Sequence, residues 1–443
     1  MTKQLLFNLN IFDFTLRMKG FPIKEAQQRL REIQQISEAQ YPDYLENARS
    51  EILQYHLQNN SFYKKFIGAK DVSAWENIPM LQKKDLQISL QERLSKNFSL
   101  KKIYTGKTSG SSGTPLQYAK DNFCHALTWA GIMDRFGWYG IDFNTSYQAR
   151  FYGIPLEFKA YQKERMKDRF SNRYRFPIFD LSEKKLASFL EIFRKKKFDY
   201  LNGHTSSIVL FAKFLQKKKL ILTEVCPTLK TCIVTSEMLF PDDKKLLESQ
   251  LGIPVVNEYG ASELDLLAFT NLEDDFQLNS DSVFIELVDE QGKAVPNGTP
   301  GTILVTMLYN KAHPFIRYEV GDLGIMDERS TFKKPILKQL IGRANDNATL
   351  ANGTTVPGHT FYYVVKSAMR ATSVVQEFIM EQNTLETFTF TYVAERDLNT
   401  AEINTLNESL YTYLGIAINL QCKRVALLDR SHRGKLKQFI SHL

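Results

Sequence analysis

One stretch constrains this chain more than any other. Thr105-Gly-Lys-Thr-Ser-Gly-Ser-Ser-Gly-Thr-Pro115 holds three glycines and six hydroxyl side chains in eleven positions. Such a run makes a poor helix or strand interior, because Gly loses the most backbone entropy on ordering and Ser and Thr compete for backbone partners. It reads as a loop whose N–H groups and hydroxyls can approach a ligand closely, which is what a polyphosphate needs. It is not a Walker A loop: that pattern needs Gly at position 101, where Lys101 stands, and its glycines precede the Lys-Thr pair instead of following it.

The segments around this loop set the fold class. Up to about residue 100 the chain reads as helical, with Leu30, Ile33 and Ile36, then Leu45, Ile52 and Leu53, at roughly helical spacing among Glu, Gln and Arg. Beyond it, short β-like runs (Tyr200–Leu201, Thr231–Val234, Pro254–Val256, Val283–Val288, Thr302–Met307) alternate with predicted helices over 121–138, 182–197, 204–219 and 241–251. That alternation predicts an α/β domain. DEQGKAVPNGTPG (289–301) reads as a hairpin connection. After about 346 the pattern restarts with a helix, a strand over Phe388–Ala394, a helix over 400–413 and a strand over Arg424–Leu428. The expected organisation is a large domain over 1–345 (helical entry 1–100, α/β core 101–345) and a small α+β domain over 346–443.

Composition narrows the function classes. The chain of 443 residues is 43% hydrophobic and 24% charged, which excludes disordered, collagenous and coiled-coil classes. Its net charge of +8 suits phosphate-rich ligands without demanding nucleic acid, and no recognition motif for nucleic acid accompanies it. Seven Lys/Arg against two acids between 159 and 175, then RKKK (194–197) and KKK (217–219), read as solvated helix faces or as a docking patch for an anionic cofactor or carrier. The four cysteines are scattered without a C-x-x-C pair, so neither a disulfide framework nor a zinc site is expected. No apolar run is long enough to span a bilayer, MTKQLLFNLNIFDF lacks a following cleavage site, and a cytoplasmic location is expected. Composition fixes no oligomeric state; a dimer is one option.

Thr108-Ser-Gly-Ser-Ser-Gly-Thr-Pro115 resembles the signature loop of adenylate-forming enzymes, the superfamily of acyl-CoA synthetases, peptide-synthetase adenylation domains and beetle luciferases. Four more motifs follow in that family's order. Val256-Asn-Glu-Tyr-Gly-Ala-Ser-Glu263 resembles Y-G-x-[ST]-E, and Ile316-Arg-Tyr-Glu-Val-Gly-Asp322 resembles Y-x-x-G-D. Ile341-Gly-Arg-Ala-Asn-Asp346 resembles the G-R-x-[DK]-D hinge, with Asn345 at the position usually Asp or Lys, and Arg430-Ser-His-Arg-Gly-Lys435 resembles the terminal Gly-Lys. Leu116 and Gln117 after Pro115, the stretch IPMLQKKDL and the short length point to the phenylacetate–CoA ligase group and its capsule-biosynthesis relatives.

The resemblance implies a large adenylate-forming α/β domain, a small mobile C-terminal domain and a two-step ligase. A carboxylate attacks the α-phosphate of ATP, giving an acyl-adenylate and pyrophosphate, and an acceptor then displaces AMP. It implies that Thr108, Ser109, Gly110, Ser111, Ser112, Gly113 and Thr114 hold phosphates, and that Glu263 binds Mg²⁺. It also implies nucleotide contacts from Ser236, Glu237, Asn257, Glu258, Tyr259, Gly260, Ala261 and Ser262, with Tyr259 stacking on adenine. Asp322 would take the ribose hydroxyls, Arg343 ribose or phosphate oxygens, and Asn345–Asp346 would form the hinge. Lys435, with Thr108 and Glu263, would be catalytic, while Tyr152, Gly153 and His204 would wall the pocket of an organic, apolar or aryl acid. CoA is the expected acceptor; a carrier protein, an amine or a hydroxyl is the alternative.

Overall fold

The computed structural model describes residues 11–108, 115–154, 157–343, 347–369, 374–429 and 438–443. The chain divides into two compact units, Met1–Val320 with Ile325–Gln339, and Gly321–Gly324 with Leu340–Leu443.

The first unit opens with helices α1 (Ile11–Met18), α2 (Ile23–Gln35), α3 (Tyr41–Asn59) and α4 (Ser61–Ile67). Spacing explains α2: Ile23, Ala26, Leu30 and Ile33 recur every three or four residues and are all buried. Asn60 caps α4, its side chain accepting from the Tyr63 N–H at 2.8 Å. Strands β1 (Tyr104–Lys107) and β2 (Gln117–Lys120) then form an antiparallel hairpin, and α5 (Asn122–Gly137) follows, capped by Asp121.

The centre of this unit is a seven-stranded sheet. Its strands are β3 (Gln148–Phe151), β4 (Arg173–Phe176), β5 (Tyr200–His204), β6 (Thr231–Thr235), β7 (Val255–Ala261), β8 (Asp265–Thr270) and β9 (Phe276–Leu278), in the order β4-β3-β5-β6-β7-β8-β9. β4 through β7 are parallel, and β8 and β9 run antiparallel. Between the parallel strands lie α6 (Phe158–Phe170), α7 (Glu183–Lys195), α8 (Thr205–Lys217), α9 (Leu222–Val225) and α10 (Pro241–Leu251). The chain steps outward from β3 to β4 and then returns to the other side of β3 to lay down β5. Strand order therefore reverses at β3/β5, and in sheets of this kind ligands bind beyond the carboxyl ends of the strands at such a reversal.

Register sorts the side chains of these strands. Ala149, Leu201, Cys232 and Val255 lie abreast on one face, where with Phe151, Phe176 and Val234 they pack against Phe189, Phe193, Phe211 and Leu247 of the helices. The opposite face is apolar towards its amino end, where Phe136 of α5 packs with Tyr200, Ile233, Val256 and Phe269. Towards the carboxyl end of that face the residues turn polar. Gly203 permits the close pass of β5 by β3: a Cβ there would lie 2.5 Å from the Phe151 carbonyl oxygen.

A second sheet, in the order β10-β11-β12-β13, comprises β10 (Val283–Val288), β11 (Pro300–Met307), β12 (Tyr318–Met326) and β13 (Leu337–Arg343). The expected hairpin over 289–301 is present, with β10 and β11 antiparallel on either side of it.

The second unit has the short hairpin β14 (Asn347–Thr349) and β15 (Thr355–Pro357), helix α11 (His359–Ala368), strands β16 (Val375–Gln382) and β17 (Thr387–Ala394), helix α12 (Thr400–Leu414), and strands β18 (Asn419–Val425) and β19 (Phe439–Ser441). Its four-stranded sheet has the order β18-β17-β16-β19. Alternation places Phe388, Phe390 and Tyr392 of β17 inside, and Phe361 of α11 stacks on Phe388 at 5.3 Å and on Phe439 at 4.9 Å. Asn399 and Glu402 form a capping box at the start of α12, and Gly415 ends it with φ near 70°. The last expected strand is displaced. It lies at Asn419–Val425, not at Arg424–Leu428, because an edge strand paired only to β17 alternates exposed and half-buried residues and carries little apolar signal.

Candidate active site

The expected site residues of the first unit fall at the carboxyl ends of the parallel strands and in the turns that follow them. Tyr152 and Gly153 continue from β3, His204 ends β5, Ser236 and Glu237 follow β6, and Asn257–Ala261 complete β7. Tyr152 and His204 meet across the strand reversal with ring centroids 4.6 Å apart. Arg175 of β4 donates to the Gly153 carbonyl at 2.9 Å, fixing the backbone of that wall.

The turn after β6 is tied to the next layer. Ser236 has φ near 73°, a left-handed conformation that costs energy for a side chain with a Cβ. The Glu237 carboxylate accepts from the Ser206 N–H at 2.7 Å, and the Glu237 carbonyl accepts from the Thr205 hydroxyl at 3.1 Å, so Glu237 caps the first turn of α8.

In the β7 motif, Gly260 stands where pairing with β8 slips by one residue, and a Cβ there would meet the Asp265 carbonyl oxygen at 2.2 Å. This bulge turns the chain through Ala261–Leu264, so that Glu263 is buried. Tyr318, the first residue of β12, donates its hydroxyl to Glu263 Oε1 at 3.0 Å. Among the described residues no Lys or Arg lies in salt-bridge range of Glu263. A buried carboxylate held by one neutral donor fits a hard cation, which takes one protein carboxylate plus phosphate and water oxygens. Among the described residues no cluster of three His, Cys, Asp or Glu could hold a metal by itself.

Neighbouring charges are already committed. Buried Lys120 of β2 pairs with Asp265, two residues beyond Glu263. Glu258 accepts from the Thr235 hydroxyl, and burial raises its carboxyl above the usual range, with nearby Arg150 opposing the rise. Tyr259 is half-buried on β7. Thr108 closes the base of the signature loop twice: its N–H donates to the Leu116 carbonyl at 2.9 Å, and its hydroxyl accepts from the Leu116 N–H at 2.9 Å.

Asp322 is buried on β12, four residues after Tyr318 and next to Gly321 with φ near 87°, in the segment assigned to the second unit. Ser109, Gly110, Ser111, Ser112, Gly113, Thr114, Asn345, Asp346 and Lys435 lie outside the described residues, and so does the side chain of Arg343 at the end of β13.

Tyr318 and its support were missed in the sequence reading, although both stand in quoted motifs. Arg317 has φ near 47° and is fully buried; it donates to Glu286 at 2.9 Å and to the carbonyls of Glu76 (2.9 Å), Ile78 (2.7 Å) and Gly292. Leu81 of the IPMLQKKDL stretch brackets the same turn, its N–H donating to the Arg317 carbonyl at 3.0 Å and its carbonyl accepting from the Glu319 N–H at 2.9 Å. The signal was the Arg-Tyr pair opening the Y-x-x-G-D motif, whose tyrosine had been given no role.

No protein-family model matches the chain. It is 21% identical over 226 residues to phenylacetate-coenzyme A ligase of Aromatoleum evansii, covering 48% of this chain and 51% of the ligase, so the match spans about half the length of that relative. It is 23% identical over 341 residues to protein CapK of Staphylococcus aureus, covering 73% of this chain and 71% of CapK. In structure it is similar to 2-hydroxyisobutyryl-CoA ligase in its postadenylation state with R3-HIB-AMP, with a TM-score of 0.69 at 16% identity over 90% of this chain and 88% of that one. Among the described residues no helix is long and apolar enough to cross a membrane.

Proposed function

We propose that this chain is an ATP-dependent carboxylate ligase of the adenylate-forming superfamily, in its phenylacetate–CoA ligase and capsule-biosynthesis group. It activates an organic acid as an acyl-adenylate with release of pyrophosphate and then passes the acyl group to CoA. The observation that carries the reading is Glu263, a buried carboxylate positioned by Tyr318 beside the carboxyl ends of the parallel strands, without a cationic partner among the described residues.

In this reading Glu263 would hold Mg²⁺, which would supply positive charge to offset that of the phosphates. Thr108 anchors the signature loop, and the N–H groups and hydroxyls of 109–114 grip the β- and γ-phosphates. Tyr259 stacks on adenine, with Ser236, Asn257, Gly260, Ala261 and Ser262 along the nucleotide. Asp322 accepts from the ribose hydroxyls, and Arg343 donates to ribose or phosphate oxygens. Tyr152, Gly153 and His204 wall the acid pocket. Lys435, on the C-terminal domain beginning at 346, brings an ammonium to the carboxylate and α-phosphate, with Asn345–Asp346 as the pivot. In the alternative reading a carrier-protein thiol, an amine or a hydroxyl replaces CoA as acceptor.

Pyrophosphate release from ATP and Mg²⁺, measured against aryl, aliphatic and amino acids with CoA, with hydroxylamine or with neither, tests both readings. Acid-dependent release that CoA accelerates supports the first. Release that only hydroxylamine accelerates supports the second, and silence with every acid contradicts both.

A further inference from the structure

Among the described residues, the polar end of the β3–β7 face carries a guanidinium with no hydrogen bond and no salt bridge. Arg150 of β3 lies abreast of Asn202 in register, on the side that carries Tyr152, His204, Thr235 and Glu258. Its neighbours have each found partners. The Gln148 side chain donates to Asn202 at 3.2 Å, and Asn202 donates to the Ile233 carbonyl at 3.1 Å. Arg173 donates to Asp168 at 2.6 Å, and Arg175 donates to Asp168 and Glu164 at 2.9–3.0 Å, so the two acids of α6 serve the two arginines of β4.

Arg150 makes no hydrogen bond and no salt bridge among the described residues. Its Nε is buried without a partner, and its guanidinium lies over the Tyr152 ring at 4.0 Å. Burial and the positive charges of Arg173 and Arg175 lower its pKa, and Tyr152 and Tyr200 oppose the fall. Glu258 shares this face but is held by Thr235, and its own burial favours the neutral carboxyl. A half-buried guanidinium whose Nε is buried without a hydrogen bond is costly, and its five-donor fork matches a carboxylate in bidentate geometry.

Resting on the ligase reading above, we propose that Arg150 forms a subsite for a second anionic group of the acid, so that the preferred substrate is a dianionic acid, a dicarboxylate being the simplest. One carboxylate is adenylated. The other pairs with Arg150 over the Tyr152 ring and is neither broken nor made in the reaction. This narrows the expected apolar or aryl acid to one with a charged end.

The experiment compares matched acids on the full chain: succinate with butyrate, phthalate with benzoate, and homophthalate with phenylacetate. Hydroxylamine-trapped pyrophosphate release and calorimetric binding in the presence of a non-hydrolysable ATP analogue are measured for the wild type, Arg150→Gln and Arg150→Lys. Expected is a dianion preference on the order of 10- to 100-fold in kcat/KM, carried mainly by KM. It is lost in Arg150→Gln and partly kept in Arg150→Lys, while monoacid turnover, analogue affinity and melting temperature stay unchanged. An equal loss for both members of every pair overturns the proposal, because Arg150 then serves the reacting carboxylate or the nucleotide. A wild type that prefers the monoacids, or does not discriminate, also overturns it. Arg150-dependent dianion binding without turnover on any acid upholds the subsite and refutes the ligase reading. Silence in both turnover and dianion binding overturns the subsite.

Discussion

The two faces of the seven-stranded sheet are made from the same strands and serve opposite ends. On one face Ala149, Phe151, Leu201, Cys232, Val234 and Val255 are all buried against helices. On the other, the alternate positions run to Arg150, Asn202, His204, Thr235 and Glu258 near the carboxyl ends. A period of two lets one strand supply an apolar core to one side and a polar, partly unsatisfied surface to the other. Stability should therefore be concentrated on the first face and chemistry on the second, and substitutions on the two faces should separate the two properties.

The largest effect is expected from the apolar face. Phe176 is fully buried and stacks on Phe193 at 5.0 Å and on Phe151 at 4.9 Å. Phe176→Ala should cost about 3–5 kcal/mol of stability, read by urea unfolding, with the affinity for ATP of the folded fraction unchanged. Lost nucleotide affinity at full folding would erase the division between the faces. The converse substitution is Glu263→Ala, which should lower pyrophosphate release about 10²–10³-fold while leaving the melting temperature within a few degrees. A fall in melting temperature as large as that of Phe176→Ala would make Glu263 a structural residue.

A pH prediction concerns buried polar groups that lie off the site. His56 donates from Nε2 to the Asn310 carbonyl at 2.9 Å, and His125 stacks on Tyr104 at 3.9 Å; burial pushes both down to about 4. Each is neutral when folded and charges more readily when unfolded. Their contribution is complete above the unfolded value near 6.5 and is lost as pH falls towards 4, at roughly 3 kcal/mol for each. Unfolding at a series of pH values should show stability declining through that window. In a His125→Gln variant the decline should be shallower, and an unaltered slope would show that His125 does not contribute to it.

The smallest effect tests the positioning of Glu263. Tyr318→Phe removes one hydrogen bond to a charged group and should lower kcat about 10-fold, with KM for ATP little changed. Added Mg²⁺ should recover part of the loss if the hydroxyl acts by orienting the carboxylate.

Much of this was legible in the sequence, for a physical reason. The β10 strand and the α10 helix fall where their periodicity placed them, and the glycines of the β7 motif and of β5 mark real close approaches of backbone. Burial of charge was not legible. Arg317, Lys120 and Arg93 are each almost fully buried, and a sequence offers no sign of that because their partners lie far along the chain. Arg317 reaches Glu286 and Gly292 on one side and Glu76 and Ile78 on the other. The unpaired state of Arg150 is illegible for the same reason: nothing local distinguishes a guanidinium left without acids from its neighbours Arg173 and Arg175, which have them. The edge strand Asn419–Val425 was misplaced because the apolar run after it carries the stronger signal.

Glu263 acts in chemistry and not in folding if the protein is a carboxylate ligase. The direct measurement is hydroxylamine-trapped pyrophosphate release by the wild type and Glu263→Ala, on an acid that the wild type turns over, with the melting temperatures of both proteins recorded. Expected are acid-dependent release in the wild type, a loss of about 10²–10³-fold in the variant and nearly equal melting temperatures. Equal release from the two proteins would contradict this role of Glu263, as would a variant whose activity falls only in step with its folded fraction.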